Sequence, residues 1–189
     1  GIEHLKGIKL IDQQPIGRTP RSNPVTYLKA FDEIRQLFAS ERDALKRGFT
    51  PGHFSFNASG GRCERCEGSG VEKLEMYFFE DIYAPCEICD GKRFKPEILK
   101  IHYRGKNIWD VLNMTVEEAL SFFTGMPKLQ ERLHLLTSIG LGYLRLGQSA
   151  TTLSGGEAQR LKIAAELKDA SAKDVLYVMD EPTTGLHFD

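Results

Sequence analysis

The four cysteines constrain the fold of this chain more than any other feature of its sequence. They form two Cys-x-x-Cys pairs, Cys63 with Cys66 and Cys86 with Cys89, and nineteen residues separate the pairs. This spacing is typical of a four-thiolate zinc site, in which the metal ties two turns to one point. The pairs also repeat a pattern, Cys-Glu-x-Cys-Glu-Gly and then Cys-Glu-x-Cys-Asp-Gly. We therefore predict structural Zn²⁺ bound by all four thiolates, which leaves no open position for a catalytic water.

Two other uses of the cysteines are open, a pair of disulfides and a redox-active Cys-x-x-Cys motif. An expected cytosolic location argues against the disulfides, and the lack of a nearby strand–helix unit argues against redox chemistry. Residues 71–80, between the cysteine pairs, partly alternate apolar and charged side chains. They predict a hairpin strand with Val71, Leu74, Met76 and Phe78 on its inner face.

A second informative feature is the string Leu153-Ser154-Gly155-Gly156-Glu157. Ser154 can cap a helix whose first residues, Gly155 and Gly156, present backbone amides without side-chain obstruction. Such a helix start attracts anions, so Ser154, Gly155, Gly156 and Glu157 are candidates for contacting a nucleotide. An ordinary glycine-containing turn before a helix would show the same residues.

A third feature is the apolar run 175–179, which leads directly into Asp180 and Glu181. The run predicts a buried parallel strand that delivers acid groups to its carboxyl end. There an Asp can hold Mg²⁺ through water, and the next Glu can orient or deprotonate an attacking water. In this order the two motifs resemble the signature, Walker B and D-loop of ABC ATPases. The sequence contains no phosphate-binding loop of the form Gly-x-x-x-x-Gly-Lys-Ser/Thr.

Composition sets wider limits. The 189 residues, 41% of them hydrophobic, can form one or two domains with a real core. A formal net charge of −1 gives no overall signal for nucleic acid, so a DNA surface would be a local basic patch. No apolar stretch suits a membrane span and no signal peptide is recognisable, so we expect a cytoplasmic protein. Because the sequence starts at Gly1 without methionine and stops at Asp189, we expect a piece of a longer protein.

Local patterns predict the remaining elements. Helical spacing of Tyr27, Phe31, Ile34 and Phe38 predicts one helix that begins at Pro24. Strands are expected at 8–11 and within 94–106, with a turn at Gly105. Further helices are expected at 40–47, 115–123, 127–139 and 155–168.

Longer strings carry a family resemblance. They are Asp12-Gln13, residues 15–24, Phe54-Ser55-Phe56-Asn57, Gly60-Gly61-Arg62-Cys63, Cys86-x-x-Cys89-x-Gly91-x-Arg93, Gly140-Leu141-Gly142-Tyr143, Leu146-Gly147-Gln148 and residues 153–160. Together they span essentially the whole chain. They resemble the second nucleotide-binding half of the UvrA family, the damage-sensing ATPase subunits of bacterial nucleotide excision repair.

The resemblance implies roles for single residues. Gln13 would be the Q-loop glutamine, Asp180 the Walker B acid and Glu181 the catalytic base. Ser154, Gly155 and Gly156 would touch ATP that a partner nucleotide-binding domain holds. The family's Walker A and switch histidine are not in this sequence, so hydrolysis of ATP by this chain alone is not expected.

The resemblance also implies a fold and a domain plan. The fold is α/β (mixed α+β), with a helical ABC signature subdomain, an inserted four-cysteine zinc β-hairpin module and the Walker B strand of an ABC ATPase core. The expected parts are an ATPase-core strand and Q-loop (1–14), a helical linker region (15–52), the zinc-binding module (53–105), the helical signature domain (106–168), and the Walker B strand and D-loop (169–189).

The family's behaviour implies binding of lesion-bearing double-stranded DNA through the signature domain and zinc module. It also implies ATP and Mg²⁺ as cofactors, a homodimer of the full-length protein and UvrB as a partner. Basic residues near loops are the candidates for phosphate contacts: Arg18, Arg21, Arg62, Arg65, Lys92, Arg93 and Lys95.

Two hypotheses from other classes remain. One is a structural or protein-interaction zinc module, because the knuckles resemble those of the DnaJ chaperone zinc domain, which has four repeats where this chain has two. The other is a transporter-type ABC ATPase, which shares the signature and Walker B but would not interrupt its domain with a zinc module.

Overall fold

The computed structural model describes residues 5–17, 19–76, 82–168 and 174–182. Over these ranges the chain is a mixed α/β protein with four strands, eight α-helices and two 3₁₀ helices, Pro51–Phe54 and Ala150–Thr152. The strands are β1 (Gly7–Ile11), β2 (Val71–Leu74), β3 (Ile82–Pro85) and β4 (Val175–Met179). The helices are α1 (Pro24–Tyr27), α2 (Phe31–Ser40), α3 (Arg42–Lys46), α4 (Pro96–Leu99), α5 (Ile108–Asn113), α6 (Val116–Phe122), α7 (Pro127–Ser138) and α8 (Gly155–Lys168). The predicted D-loop after residue 182, Arg18 and Phe78 lie outside the described residues.

The strands β1 and β4 form a parallel pair, with Ile11 opposite Met179 at its carboxyl end. This confirms a parallel strand at 175–179. The prediction that the strand is buried is wrong for the described residues, because Leu176 and Val178 are 46% and 44% exposed. Two strands cannot cover their own faces, so burial would need further layers.

The strands β2 and β3 form an antiparallel hairpin, with Val71 opposite Pro85 and Leu74 opposite Ile82. The hairpin strand is confirmed for residues 71–74. Its predicted inner face is wrong, because Leu74 and Met76 are exposed and only Val71 is half-buried. The alternation of the sequence is present, but the described residues offer no layer on which that face could pack.

A continuous hydrophobic core joins the three central parts of the domain plan. Its fully buried residues include Phe38 from the range 15–52, Phe56 and Phe94 from 53–105, and Leu133 from 106–168. The core therefore runs from the helices up to the residues that flank the cysteines. Among the described helices, none is both long enough and apolar enough to cross a membrane.

The predicted helix from Pro24 to Phe38 is wrong at its centre. The helix is interrupted between α1 and α2, and Lys29 in the interruption has a φ of 57°. The break turns Leu28 and Ala30 into the core together with Phe31. In one continuous helix Leu28 and Phe31 would share a face, whereas Ala30 would lie away from them. The break therefore buries an alanine that local helical spacing would leave off the core-facing side.

The predicted strand within 94–106 is also wrong. Residues from Pro96 form the short helix α4, for which the fixed φ of proline is suited at the first position. The expected turn is present, since Arg104 and Gly105 have φ angles of 48° and 78° between the bridged residues Tyr103 and Lys106.

Candidate metal centre and signature-helix site

The four cysteines converge on one buried cluster. Their Sγ atoms all lie within 4.8 Å of one another, and each residue is at most 8% exposed. The Sγ atoms of Cys63 and Cys86 are 3.9 Å apart, and those of Cys66 and Cys89 are 3.7 Å apart. Tetrahedral coordination at a Zn–S distance of ~2.3 Å gives S···S separations of about 3.8 Å. A disulfide would need ~2.05 Å, so the arrangement fits a four-thiolate metal site.

Two turns of the same conformation carry the cysteines. Their left-handed positions correspond, with φ angles of 50°, 82° and 78° at Glu67, Gly68 and Gly70, and of 50°, 72° and 70° at Asp90, Gly91 and Arg93. Each turn aims a backbone amide at sulfur. The N–H of Gly70 donates to Cys66 Sγ (3.3 Å), and the N–H of Arg93 donates to Cys89 Sγ (3.4 Å). Such outer contacts orient metal ligands.

Burial and amide contacts act on the thiols in opposite directions. Burial raises the pKa of the Cys86 and Cys89 thiols. Burial also opposes ionisation of Cys66, but hydrogen bonds from the N–H groups of Gly70 and Gly68 and from the thiols of Cys89 and Cys63 together hold the pKa of Cys66 below its ordinary value. Because a metal binds the thiolate, it must displace protons from this cluster, and its affinity is expected to fall as the pH falls.

A groove of about 440 Å³ lies beside the first knuckle, and its lining includes Arg21 and Arg65 together with the carboxylates of Glu67 and Glu72. The Arg65 side chain is 66% exposed and donates to Glu72 at 3.0 Å. The guanidinium of Arg65 holds the pKa of the Glu72 carboxyl below its usual range. Lys73 of β2 lines the same groove and was missed by the sequence reasoning. The fold places Lys73 and Arg21, which are far apart along the chain, on the same groove.

The other basic candidates have separate surroundings. Arg62 donates to the Asn57 carbonyl (3.3 Å), Lys92 pairs with Asp90 (3.1 Å), and Lys95 pairs with Glu64 (2.5 Å). Arg93 points inward, because its Nη2 donates to the carbonyl of Gly147 at 3.1 Å. Burial lowers the pKa of the Arg93 guanidinium, an effect that the neighbouring cysteines Cys66 and Cys89 oppose.

Ser154 and Glu157 close the start of α8 with reciprocal hydrogen bonds. The Ser154 N–H donates to Glu157 Oε2 (2.7 Å), and the Glu157 N–H donates to Ser154 Oγ (3.2 Å). The Tyr143 hydroxyl donates to Glu157 Oε1 (2.5 Å). Although burial opposes ionisation, these donors hold the pKa of Glu157 below its ordinary value. The helix start predicted at Gly155 is confirmed, and both carboxylate oxygens of Glu157 have partners inside the chain.

Gln159 joins α8 to the carboxyl ends of both strands of the parallel pair. It is only 1% exposed, and its Nε2 donates to the carbonyls of Ile11 (3.3 Å) and Asp180 (2.6 Å). Lys162, nearly one turn further along α8, forms an ion pair with Asp12. The hydrogen bond from Lys162 holds the pKa of Asp12 below its ordinary value. One helix face therefore fixes the two strand ends relative to the signature.

The three predicted catalytic residues lie at this same edge. The Nε2 of Gln13 donates to the Asp180 carbonyl (3.4 Å), and a Cβ on Gly155 would lie 3.0 Å from Gln13 Oε1. Asp180 and Glu181 are exposed. Magnesium commonly takes one or two protein carboxylates together with substrate phosphates, so this pair suits it. In the part of the chain that the structure describes, the cysteines are the only cluster of three or more metal-ligating residues.

The bridge made by Gln159 leads to a stability prediction. Gln159→Leu leaves the carbonyls of Ile11 and Asp180 without this donor, so we expect a loss of about 1–3 kcal/mol in the free energy of unfolding. Urea titration of the metal-loaded chain measures it. Gln36→Leu, the same change at an exposed position of α2, should shift stability by less than about 0.5 kcal/mol. Equal effects of the two substitutions would contradict the bridge.

The chain is similar over its whole length to curated proteins named UvrABC system protein A. The chain is 59% identical over 189 residues to UvrABC system protein A of Thermus thermophilus and 58% identical over 189 residues to that of Methanothermobacter thermautotrophicus. A crystal structure of UvrA2 from Deinococcus radiodurans matches 97% of the chain with a TM-score of 0.94 at 53% identity. The chain belongs to the UvrA family. No protein-family model matches it.

The match covers all of this chain but only part of each UvrA relative. It covers 100% of this chain and 20% of each curated relative, so the chain spans about a fifth of their length. It covers 23% of the UvrA2 chain. The family predicted from the motifs is confirmed, as are the mixed α/β class and the convergence of the four cysteines. The roles given to single site residues stay predictions.

Two contacts of this UvrA segment could not be inferred from its motifs. Gln159 follows the signature string in the sequence. Its position between Ala158 and Leu161, which both face the core, was the one indication in the sequence that this polar side chain could be buried. Arg93 carried a charge that suggested an exposed contact, whereas its guanidinium lies against the interior. Both side chains contact residues that are far away along the chain.

Proposed function

We propose that this chain is the segment of a UvrA-type DNA-damage-recognition ATPase that joins a zinc module to the signature helix. The observation that carries this proposal is the identity of 58–59% with UvrABC system protein A over all 189 residues. In this proposal the chain binds Zn²⁺ through its four cysteines and contacts lesion-bearing double-stranded DNA. The sulfur separations support the zinc assignment.

In the intact protein, the segment supplies half-sites for ATP. Ser154 and the amides of Gly155 and Gly156 face a nucleotide held by another domain, while Gln13, Asp180 and Glu181 serve a second one. ATP with Mg²⁺, when bound, supplies the phosphoryl group and the charge that neutralises it. Asp180 would help to hold the metal, Glu181 would orient the attacking water, and Gln13 would sense the γ-phosphate. The contact of Gln13 with the Asp180 carbonyl supports this grouping.

The signature helix is the element through which nucleotide state reaches the rest of the segment. Gln159 ties α8 to the strand end that carries Asp180. A displacement of the α8 start toward a nucleotide would therefore pull on the Walker B turn as well. For the whole protein we propose a homodimer with UvrB as its partner, as the family resemblance implies.

DNA contact is assigned first to the groove beside the first knuckle. Three cations, Arg21, Arg65 and Lys73, line it beside two carboxylates, Glu67 and Glu72. Arg65 is paired with Glu72, and Lys73 with Glu75. Cationic side chains in a groove bind phosphates without reading bases, and phosphates would compete with these carboxylates for Arg65 and Lys73. Arg62, Lys92 and Lys95 lie outside this groove and stay candidates for further phosphate contacts, and Arg18 stays a candidate from the sequence alone. Recognition of damage through backbone shape and deformability requires contacts of this kind.

Binding of a lesion-bearing duplex by the zinc-loaded chain tests the proposal. Fluorescence anisotropy at several salt concentrations should show affinity that falls with salt, by about 0.9 in log–log slope for each phosphate contact. Arg21→Gln and Arg65→Gln should each weaken binding and reduce the slope by about 1. Arg47→Gln removes the same charge at an exposed position outside the groove and should change neither. Binding without salt dependence, or none at all, would favour a protein-interaction module.

A further inference from the structure

Arg93 stands where the other knuckle has a glycine. It occupies the position in the second turn that Gly70 occupies in the first, and it adopts a left-handed φ of 70°. That region is unfavourable for any residue with a side chain. A glycine would satisfy the turn without strain, so the side chain of Arg93 needs a reason of its own.

The backbone of Arg93 contacts both cysteine pairs. Its N–H donates to Cys89 Sγ (3.4 Å), and its carbonyl accepts from the N–H of Cys63 (2.8 Å). The conformation of this one residue therefore depends on how the two knuckles are held together. A metal bound by all four sulfurs would hold them.

The side chain of Arg93 leads away from the cluster. Its guanidinium lies over the ring of Phe56 at 5.3 Å, and its Nη2 donates to the Gly147 carbonyl at 3.1 Å. Its Nη1 is buried, and no hydrogen-bond partner for it occurs among the described residues. A Cβ on Gly70 would come within 3.0 Å of Arg93 Cγ, so the first knuckle leaves room for this path.

Gly147 opens the segment that leads into the signature. The N–H of Gly147 donates to the Leu112 carbonyl (2.7 Å), and the N–H of Ala150 donates to the Ser22 carbonyl (2.7 Å). Residues 147–153 are thus held to the rest of the fold by a few hydrogen bonds, and they lead directly to Ser154, the residue that caps α8. The Arg93 contact is the anchor that comes from the cysteine cluster.

We propose that Arg93 is a positioning residue through which metal binding at the cysteine cluster sets the conformation of residues 147–153 and hence the position of the α8 start. With the knuckles held together, the left-handed turn persists and the guanidinium stays on Gly147. When the knuckles separate, the turn relaxes and the guanidinium withdraws. The proposal rests on the zinc assignment above and adds a route from the metal to the signature.

Hydrogen exchange with mass spectrometry tests this route on the whole 189-residue chain. Peptides covering 147–153 should exchange about tenfold faster after zinc is removed under reducing conditions, as expected when a hydrogen bond from a charged donor is lost. Peptides from α7 should not change. In Arg93→Gly, zinc should still bind, because glycine suits the turn and keeps the N–H. Residues 147–153 should then exchange fast with or without zinc.

Arg104 provides a matched control. It too has a positive φ (48°), its guanidinium lies over the Tyr103 ring at 5.2 Å, and its Nη1 donates to the Phe122 carbonyl at 2.7 Å. Arg104→Gly should keep the response of 147–153 to zinc, although it loses contacts of the same kind. A purely structural role of Arg93 would lower the melting temperature of Arg93→Gly and leave that response in place.

The outcomes separate the two proposals. A wild-type chain that binds zinc but shows no change at 147–153 on its removal would overturn the route, without the need for any variant. So would a persistent response in Arg93→Gly, or a rise in exchange that extends equally through α7. A wild-type chain that binds no zinc would instead contradict the zinc assignment, and with it the proposed route from the metal through Arg93 to residues 147–153.

Discussion

Cys86→Ser is expected to abolish zinc binding and to unfold both knuckles. Cys86 is fully buried, with its Sγ 3.9 Å from that of Cys63. A serine hydroxyl stays protonated at neutral pH and is a poor ligand in a site of this kind. Structural zinc sites contribute about 10–16 kcal/mol of apparent binding free energy in small domains, so no other single change should cost more. Metal analysis should fall from one zinc per chain to nearly none.

The control for this prediction lies in the same knuckle. Ile88, between Cys86 and Cys89, is 73% exposed, so Ile88→Ser adds a hydroxyl without removing a ligand. This variant should retain one zinc per chain and the circular dichroism spectrum of the unsubstituted chain. A Cys86→Ser chain that kept one zinc through purification with a chelator would show that the cluster is not the metal site.

Phe56→Ala is expected to lower the free energy of unfolding by about 3–5 kcal/mol, the usual cost of truncating a buried phenylalanine. Phe56 is completely buried. Its ring stacks on Phe31 of α2 at 4.9 Å and meets the edge of Phe94 at 6.3 Å, and the Arg93 guanidinium lies on it at 5.3 Å. The substitution therefore opens a cavity where the second knuckle joins the helical core. Urea titration of the zinc-loaded chain measures the loss.

An exposed aromatic residue serves as its comparison. Tyr83 of β3 is 51% exposed, and Tyr83→Ala should change stability by less than about 0.5 kcal/mol. Zinc content should stay at one per chain in both variants, because neither residue is a ligand. Losses of similar size at Phe56 and Tyr83 would mean that the core does not extend to the knuckles.

Features written into short stretches of sequence were predicted well. Thr115 and Glu118 predict the start of α6, and the structure has both of their reciprocal hydrogen bonds, at 2.8 and 3.1 Å. Pro127 likewise marks the first residue of α7. The errors arise where burial acts across the fold. Lys29 breaks a helix that local spacing favours, and Leu74 is exposed on a strand whose alternation suggested an inner face.

The sequence by itself determined the cysteine pairs, the helix caps, the two nucleotide motifs and the family, because each depends on residue types at short, constant spacing. Only the tertiary structure decided which partners those residues meet. Gln159 reaches Ile11 across 148 positions, and Arg93 reaches Gly147 across 54. Such contacts depend on how the core packs. The type of a side chain and its neighbours in the sequence do not determine which distant carbonyl it will meet in the folded chain.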